Sequence, residues 1–77
     1  MDIQHLVKMA NQIGQFFEAE PDREQAILDI GTHLKRFWDP RMRAAILAHN
    51  DQGGDGLKEI VALAIKSQRE LLQPVRH

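Results

Sequence analysis

The sequence predicts an all-α protein, a compact array of about four short helices in a single domain over residues 1–77. Three observations support this fold class. Apolar residues recur at spacings of three and four in four successive segments, as on the buried face of a helix. No segment alternates apolar and polar residues over a useful length, as a half-buried strand would. Finally, 77 residues with 43% hydrophobic content suffice for one small core.

The first helix is predicted over residues 3–19, with Asp2 as its N-cap. Its apolar stripe consists of Ile3, Leu6, Ala10, Ile13 and Phe17. The helix is expected to end at Glu20, because the residue before a proline disfavours the helical conformation.

The second helix is predicted over residues 21–37. Pro21 suits the first helical position, and Asp22 and Glu24 suit the positive end of the helix dipole. The apolar stripe of this helix consists of Ile27, Ile30, Leu34 and Phe37. The stripe assigns these side chains to the core.

The third helix, over residues 40–50, repeats the same start signal, with Asp39 as N-cap and Pro40 at the first helical position. Residues 53–56, the sequence GGDG, form the glycine-rich stretch of the chain and are interpreted as a mobile turn. The last helix is predicted over residues 57–72 and ends before a proline.

Two features predict close packing beyond a plain bundle. Gly14 and Gly31 lie inside predicted helices, where a glycine costs about 1 kcal/mol relative to alanine, so we expect another backbone to approach each of them. In the last helix, apolar side chains point nearly all the way round, which is typical of a helix buried on several sides. These side chains are Ile60, Val61, Leu63, Ala64 and Ile65. Self-association or a different subunit would cover such a surface.

Composition excludes several classes of function. Ten basic and eleven acidic side chains leave a formal charge of −1, whereas a general nucleic-acid binder carries a clear basic excess. We therefore expect no nucleic-acid partner. No apolar stretch approaches the roughly 20 residues that span a membrane, so we expect no membrane contact. The N-terminus lacks a basic region followed by an apolar run, which predicts no export signal and a cytoplasmic location.

Residues with catalytic or metal-binding chemistry are few and scattered. The chain has no cysteine, which excludes disulfides, thiolate zinc sites and cysteine-held iron–sulfur clusters. Its four histidines include no pair at the i, i+4 spacing that places two ligands on one helical face. Thr32 and Ser67 are the hydroxyl residues, and neither follows a strand in a nucleophile turn. We expect no catalytic, cofactor-binding or metal-binding residue, and no enzyme activity of the chain by itself.

Residues 37–43, the sequence FWDPRMR, form the most distinctive segment. The end of one helix and the start of the next account for the presence of Phe37, Asp39 and Pro40. Tryptophan, arginine and methionine together are typical of an interface hot spot, and the apolar last helix adds further candidates. The predicted partner-interface residues are Trp38, Arg41, Met42, Arg43, Ile60 and Leu63.

The near-zero net charge conceals two charged stretches. Acidic residues dominate positions 18–29, and basic residues dominate positions 35–43. Both stretches are compatible with ordinary solvated faces. They are equally compatible with steering of a partner that carries matching patches.

Four stretches carry a resemblance to a known family. They are Lys8–Phe17 (KMANQIGQFF), the helix start at Pro21–Asp22, His33–Arg43 (HLKRFWDPRMR) and Gly53–Leu57 (GGDGL). In this order they resemble the delta subunit of soluble, molybdenum-dependent, NAD-dependent formate dehydrogenase. Members of that family often carry a proline after the Gly-Leu pair, whereas this chain has a lysine, which affects only the start of the last helix.

The resemblance implies an accessory subunit of a cytoplasmic complex that oxidises formate to carbon dioxide. It implies a molybdenum pterin cofactor, iron–sulfur clusters, FMN and NAD in the larger subunits and no cofactor in this chain. We expect the chain to assemble or stabilise the complex by docking on the larger subunits, foremost the molybdenum-containing catalytic subunit. Two alternatives stay open. One is a maturation factor that acts during molybdenum-cofactor insertion, and the other is a homodimeric helical regulator, since the isolated chain could form a homodimer.

Overall fold

A computed structural model describes residues 2–74 of the chain. The helices are α1 (Ile3–Phe17), α2 (Arg23–Phe37), α3 (Pro40–Asp51), α4 (Glu59–Ser67) and α5 (Arg69–Leu72). The part of the chain that the structure describes contains no strand, and the predicted all-α class is confirmed. No helix within residues 2–74 is both long and apolar enough to cross a bilayer.

Three aspartates begin the first three helices. The Asp2 carboxylate accepts from the backbone N–H of Gln4 at 3.0 Å, and that of Asp39 accepts from the N–H of Met42 at 3.0 Å. The second helix begins two residues later than the sequence predicts. Asp22 is its N-cap, accepting from the N–H groups of Glu24 and Gln25, so Pro21 lies outside the helix. A carboxylate that satisfies two free N–H groups defines a helix start more strongly than a proline does.

The segment predicted as one last helix over residues 57–72 is divided at Gln68. Its backbone (φ −115°, ψ 29°) leaves the helical region between α4 and α5. The Gln68 side chain reaches α2, where its Nε2 donates to the carbonyl of Ile27 at 2.7 Å. Neither glycine nor proline marks this break, which coincides with a contact to a distant helix.

The core lies between α4 and the other four helices, all of which pack against it. Ile60, Val61, Ala64 and Ile65 are buried by the chain itself, whereas Leu63 is 40% exposed. Internal contacts therefore cover most of the apolar surface that the sequence left open to a partner. The buried apolar residues are Leu6, Ala10, Ala26, Ile30, Leu34, Trp38, Ile46, Leu47, Ile60, Val61, Ala64, Ile65 and Leu72.

Both helical glycines permit close packing, although side chains make the approach instead of a backbone. A Cβ on Gly14 would collide with Cγ2 of Val61 on α4, and a Cβ on Gly31 would collide with the amide of Gln68. The absence of a side chain at each position thus lets α1 and α2 lie close to the last two helices.

The glycine turn is held by side chains of two helices. Gly54 and Gly56 have φ angles of 64° and 86°, a backbone conformation that residues other than glycine rarely adopt. Asn11 of α1 donates to the carbonyl of Gly56 at 2.9 Å and accepts from the N–H of Lys58 at 2.9 Å. A ring nitrogen of His49 on α3 lies 2.8 Å from the carbonyl oxygen of Asp55. The turn predicted as mobile is therefore anchored on both sides.

Candidate partner-binding groove

An apolar groove of about 490 Å³ lies on the surface where α1, α2 and α3 meet. We call it the aromatic groove. It is lined by Met9, Gln12, Ile13, Phe16, Phe17, His33, Phe37, Trp38 and Met42. Seven of these nine residues are apolar, and the groove is open to solvent.

Helical spacing places the walls of the groove. On α1, Met9, Ile13 and Phe16 recur at intervals of four and three, so they share one face of the helix. On α2, His33 and Phe37 are one turn apart and face the same side. The two rows form opposite walls, each built on a rigid element.

The aromatic side chains form a continuous series across the groove. The ring of His33 lies 4.6 Å from that of Phe37 and 6.0 Å from that of Phe17, between ring centroids. The ring of Phe16 packs edge-on against that of Phe17 at 5.1 Å. Aromatic pairs at such separations stabilise one another beyond the burial of their area, and this series fixes the shape of the groove.

Two pairs of consecutive aromatic residues divide between core and surface. Trp38 is 5% exposed, whereas its neighbour Phe37 is 67% exposed. Phe17 packs against the core, whereas its neighbour Phe16 is 74% exposed. Phe16 and Phe17 are neighbours on α1, so their side chains point about 100° apart. Trp38 follows the last residue of α2 with an extended backbone (φ −91°, ψ 137°), so its side chain leaves the direction of the helix face that Phe37 occupies. The groove therefore presents two phenylalanines to solvent.

Charged side chains of opposite sign flank the two ends of the groove. Beyond Phe16 and Phe17 it continues into a second hollow of about 430 Å³ that is bordered by Glu20 and Asp29. At the other end, the guanidinium carbon of Arg36 lies 5.7 Å from the ring centroid of Phe37. One end is thus acidic and the other basic.

A family match covers the whole of this groove. The family model described as "NADH-dependant formate dehydrogenase delta subunit FdsD" matches residues 5–65 of the chain. The chain belongs to this family. No curated protein and no solved structure shows a significant match to it. All residues of the aromatic groove lie within the matched range, as do the four stretches that carried the resemblance.

The predicted interface residues of this delta-subunit family member lie in different environments. Trp38 and Met42 line the aromatic groove, Trp38 as its buried floor. Arg41 is exposed at the start of α3, next to Met42. Leu63 is exposed on α4, outside the residues that line the groove. The structure therefore brings together only two of the six predicted interface residues.

Arg43 and Ile60 are turned toward the interior. Arg43 is 7% exposed, and its Nη1 donates to the carbonyl of Leu72 at the end of α5 at 3.1 Å. Its Nε has no hydrogen-bond partner among residues 2–74. Ile60 is 5% exposed within the core. For both residues, partner contact stays a prediction that would require the chain to open.

Sequence reasoning missed Phe16 and Phe37 as candidates for partner contact, since it placed Phe37 in the core stripe of α2. The signal was the pairing of aromatic residues, Phe16 with Phe17 and Phe37 with Trp38, each at the end of a helix. Only one member of each pair can face the core. Which member does so depends on tertiary packing, as in the contact of Phe17 with His33 on α2.

The described residues carry little reactive chemistry. Within residues 2–74, no group of three or more histidine, aspartate or glutamate side chains is placed to hold a metal ion. The hydroxyl of Ser67 donates to the carbonyl of Ala64 in its own helix at 3.4 Å. The aromatic groove offers apolar contact and two charged ends, which are properties of a protein-binding surface.

Proposed function

We propose that this delta-subunit family member is a non-catalytic accessory subunit that docks on a larger subunit of a cytoplasmic, NAD-dependent formate dehydrogenase through the aromatic groove. One observation carries the proposal: Phe16 and Phe37 are 74% and 67% exposed on a preformed groove. Most of the surface of these two side chains lies outside the core of the chain. A subunit that buries them on assembly gains the free energy of removing that apolar surface from water.

The expected gain from burial makes these two side chains the main apolar anchors of an interface. Burying an exposed phenylalanine contributes about 1.5–3 kcal/mol. Two such side chains, packed in the centre of an interface, would act as the anchors that dominate binding energy. Gln12 and the charged ends would form the polar surroundings that orient the partner.

Stabilisation of the complex would follow from mass action. A subunit that binds only the folded, assembled partner shifts the equilibrium toward that form. The chain would then support formate oxidation without touching formate. The chemistry would belong to the larger subunits, with their molybdenum pterin, iron–sulfur clusters, FMN and NAD site. We place the docking on the molybdenum-containing catalytic subunit.

The test is co-expression of the chain with the larger subunits, with the affinity tag on the catalytic subunit. We compare the wild-type chain with a Phe16→Ala/Phe37→Ala double variant. Leu28→Ala is the matched control, because Leu28 is 52% exposed on α2 but outside the residues that line the groove. Leu63→Ala tests the predicted surface on α4.

The proposal expects the double variant to be lost from the purified complex, with formate–NAD activity falling on storage or warming. Leu28→Ala and Leu63→Ala should stay at the wild-type ratio. Retention of the double variant at that ratio would refute docking through the groove. Loss of Leu63→Ala instead would move the interface to α4.

The same purification discriminates the two other functions. A maturation factor would be recovered with the cofactor-free catalytic subunit and would be missing from the finished complex. Arg36 and Arg41 are exposed and could contact a pterin-dinucleotide phosphate, whereas Arg43 is engaged inside the chain. A homodimeric regulator would be recovered without any larger subunit.

A further inference from the structure

We propose that the aromatic groove receives a single short amphipathic helix of a larger subunit, oriented by the charges at the two ends of the groove. Its N-terminal end, carrying lysine or arginine, would lie beside Glu20 and Asp29. Its C-terminal end, carrying aspartate or glutamate, would lie beside Arg36. This inference rests on the proposed function and adds the form, charge pattern and direction of the docked segment.

The form of the segment follows from the walls of the groove. These walls are side chains on three α-helices, whose backbone N–H and C=O groups are paired within the helices. No strand edge borders the groove in the described part of the chain, so a partner cannot add a β-strand there. A segment that enters an apolar groove must satisfy its own backbone groups, and a helix does so internally.

The length of the segment follows from the spacing of the wall residues. From Met9 to Phe16, α1 rises by about 10 Å, or two helical turns. A partner helix lying along this wall would present about seven residues, with apolar side chains at positions i, i+3 or i+4, and i+7. Two or three such side chains would occupy the groove.

The direction follows from the charged ends. Glu20 and Asp29 border the hollow beyond Phe16 and Phe17, and Arg36 lies against the ring of Phe37. The N-terminus of a helix carries a partial positive charge and the C-terminus a partial negative one. The helix dipole and any end charges of matching sign therefore favour the same orientation.

These end charges are available to a partner. The ion pairs among residues 2–74 are Arg23–Glu59, Glu18–Lys58 and Asp51–Arg69. None of them uses Glu20, Asp29 or Arg36. The Asp29 carboxylate accepts a hydrogen bond from Gln25 at 2.9 Å, and the Glu20 carboxylate accepts one from the N–H of Asp22 at 3.1 Å. Each carboxylate keeps a second oxygen for a partner.

The experiment is photo-cross-linking in the assembled complex. p-Benzoylphenylalanine replaces Phe16 in one sample and Phe37 in another, positions whose exposure tolerates the larger ring. After irradiation, mass spectrometry identifies the attached peptides. We expect both positions to attach to one helical segment of a larger subunit, about seven residues apart. The Phe16 cross-link should lie nearer its N-terminus and basic residues, and the Phe37 cross-link nearer its C-terminus and acidic residues.

Charge reversal provides the second readout. Arg36→Glu and Asp29→Lys should each weaken the binding of the larger subunit about three- to tenfold at low salt, with the difference reduced at high salt. Lys66→Glu and Glu70→Lys reverse exposed charges on α4 and α5 and are the matched controls. Both controls should bind like the wild type.

The outcomes separate this inference from the proposed function. Cross-links to two distant segments, to an extended proline-rich segment, or to a helix in the opposite direction would overturn the inference while docking through the groove stands. Unchanged binding in both charge-reversal variants would overturn the orientation by charge. Absence of any cross-link to a larger subunit, together with normal retention of the Phe16→Ala/Phe37→Ala variant, would overturn both proposals.

Discussion

The side-chain amide of Gln68 donates to the backbone carbonyl of Ile27 at 2.7 Å and lies directly over Gly31. This contact joins the break between α4 and α5 to the middle of α2. Gly14, by contrast, faces the branched side chain of Val61 in the core. The two helical glycines thus serve different neighbours, one a flexible amide and the other a rigid, fully buried side chain.

Alanine at the two glycines should therefore have unequal effects on folding. Gly14→Ala should lower the free energy of unfolding by about 1–3 kcal/mol, because overpacking against Val61 outweighs the gain in helix propensity. Gly31→Ala should change it by less than about 1 kcal/mol, because the propensity gain offsets the displaced Gln68 hydrogen bond. Urea denaturation measures both. Equal effects would contradict the difference between the two contacts.

The neighbours Phe37 and Trp38 should separate association from folding. Trp38→Ala removes a buried side chain and should cost about 3–5 kcal/mol of folding stability. Phe37→Ala should cost about 1 kcal/mol at most, since it loses mainly the contact with His33. Denaturation of the isolated chain gives the stability, and co-purification gives the association. Strong destabilisation by Phe37→Ala would indicate that its ring supports the fold.

Arg41 and Arg43 should differ in the same way. Arg43→Met loses the hydrogen bond that holds the end of α5 through the carbonyl of Leu72 and should lower the free energy of unfolding by about 1–3 kcal/mol. Arg41→Met, the control at an exposed site of the same helix, should stay within about 0.5 kcal/mol of the wild type. Thermal unfolding followed by circular dichroism compares the two. If Arg43→Met leaves the free energy of unfolding unchanged, the Leu72 carbonyl accepts from another donor.

The cap of α3 should matter because this helix carries Met42 to the groove. Asp39→Ala removes the acceptor for the Met42 N–H and should cost about 0.5–2 kcal/mol. Asp55→Ala is the control, since it removes an exposed carboxylate that caps no helix. The free energy of unfolding from urea titration gives the result. A loss equal in both variants would point to net charge as the cause.

Local signals in the sequence predicted much of the fold. The all-α class follows from the three- and four-residue spacing of apolar residues, and the starts of α1 and α3 follow from Asp2 and Asp39. These features depend on neighbours within one helical turn. They are therefore visible in the sequence before any packing is known.

The site was less predictable, because it depends on contacts between distant helices. Trp38 was predicted as an interface residue, yet it is buried in the core and its neighbour Phe37 is exposed. Arginine is a residue type enriched at interfaces, yet the guanidinium of Arg43 donates to a backbone carbonyl 29 positions away. The break at Gln68 likewise coincides with a hydrogen bond to α2. In each case the deciding contact lies outside the local segment.

The hydrogen bonds of Asn11 have a consequence for α4. This helix has no side-chain cap of its own. The N–H of Lys58, just before its first turn, donates instead to the side-chain oxygen Oδ1 of Asn11, 47 positions earlier in the chain. The start of α4 is thus held by a residue of α1, distant in the sequence. Residues 57–72 contain the apolar pattern of a helix but no residue that caps its N-terminus. A peptide of this segment alone would lack the hydrogen bond to Asn11 that defines where the helix starts.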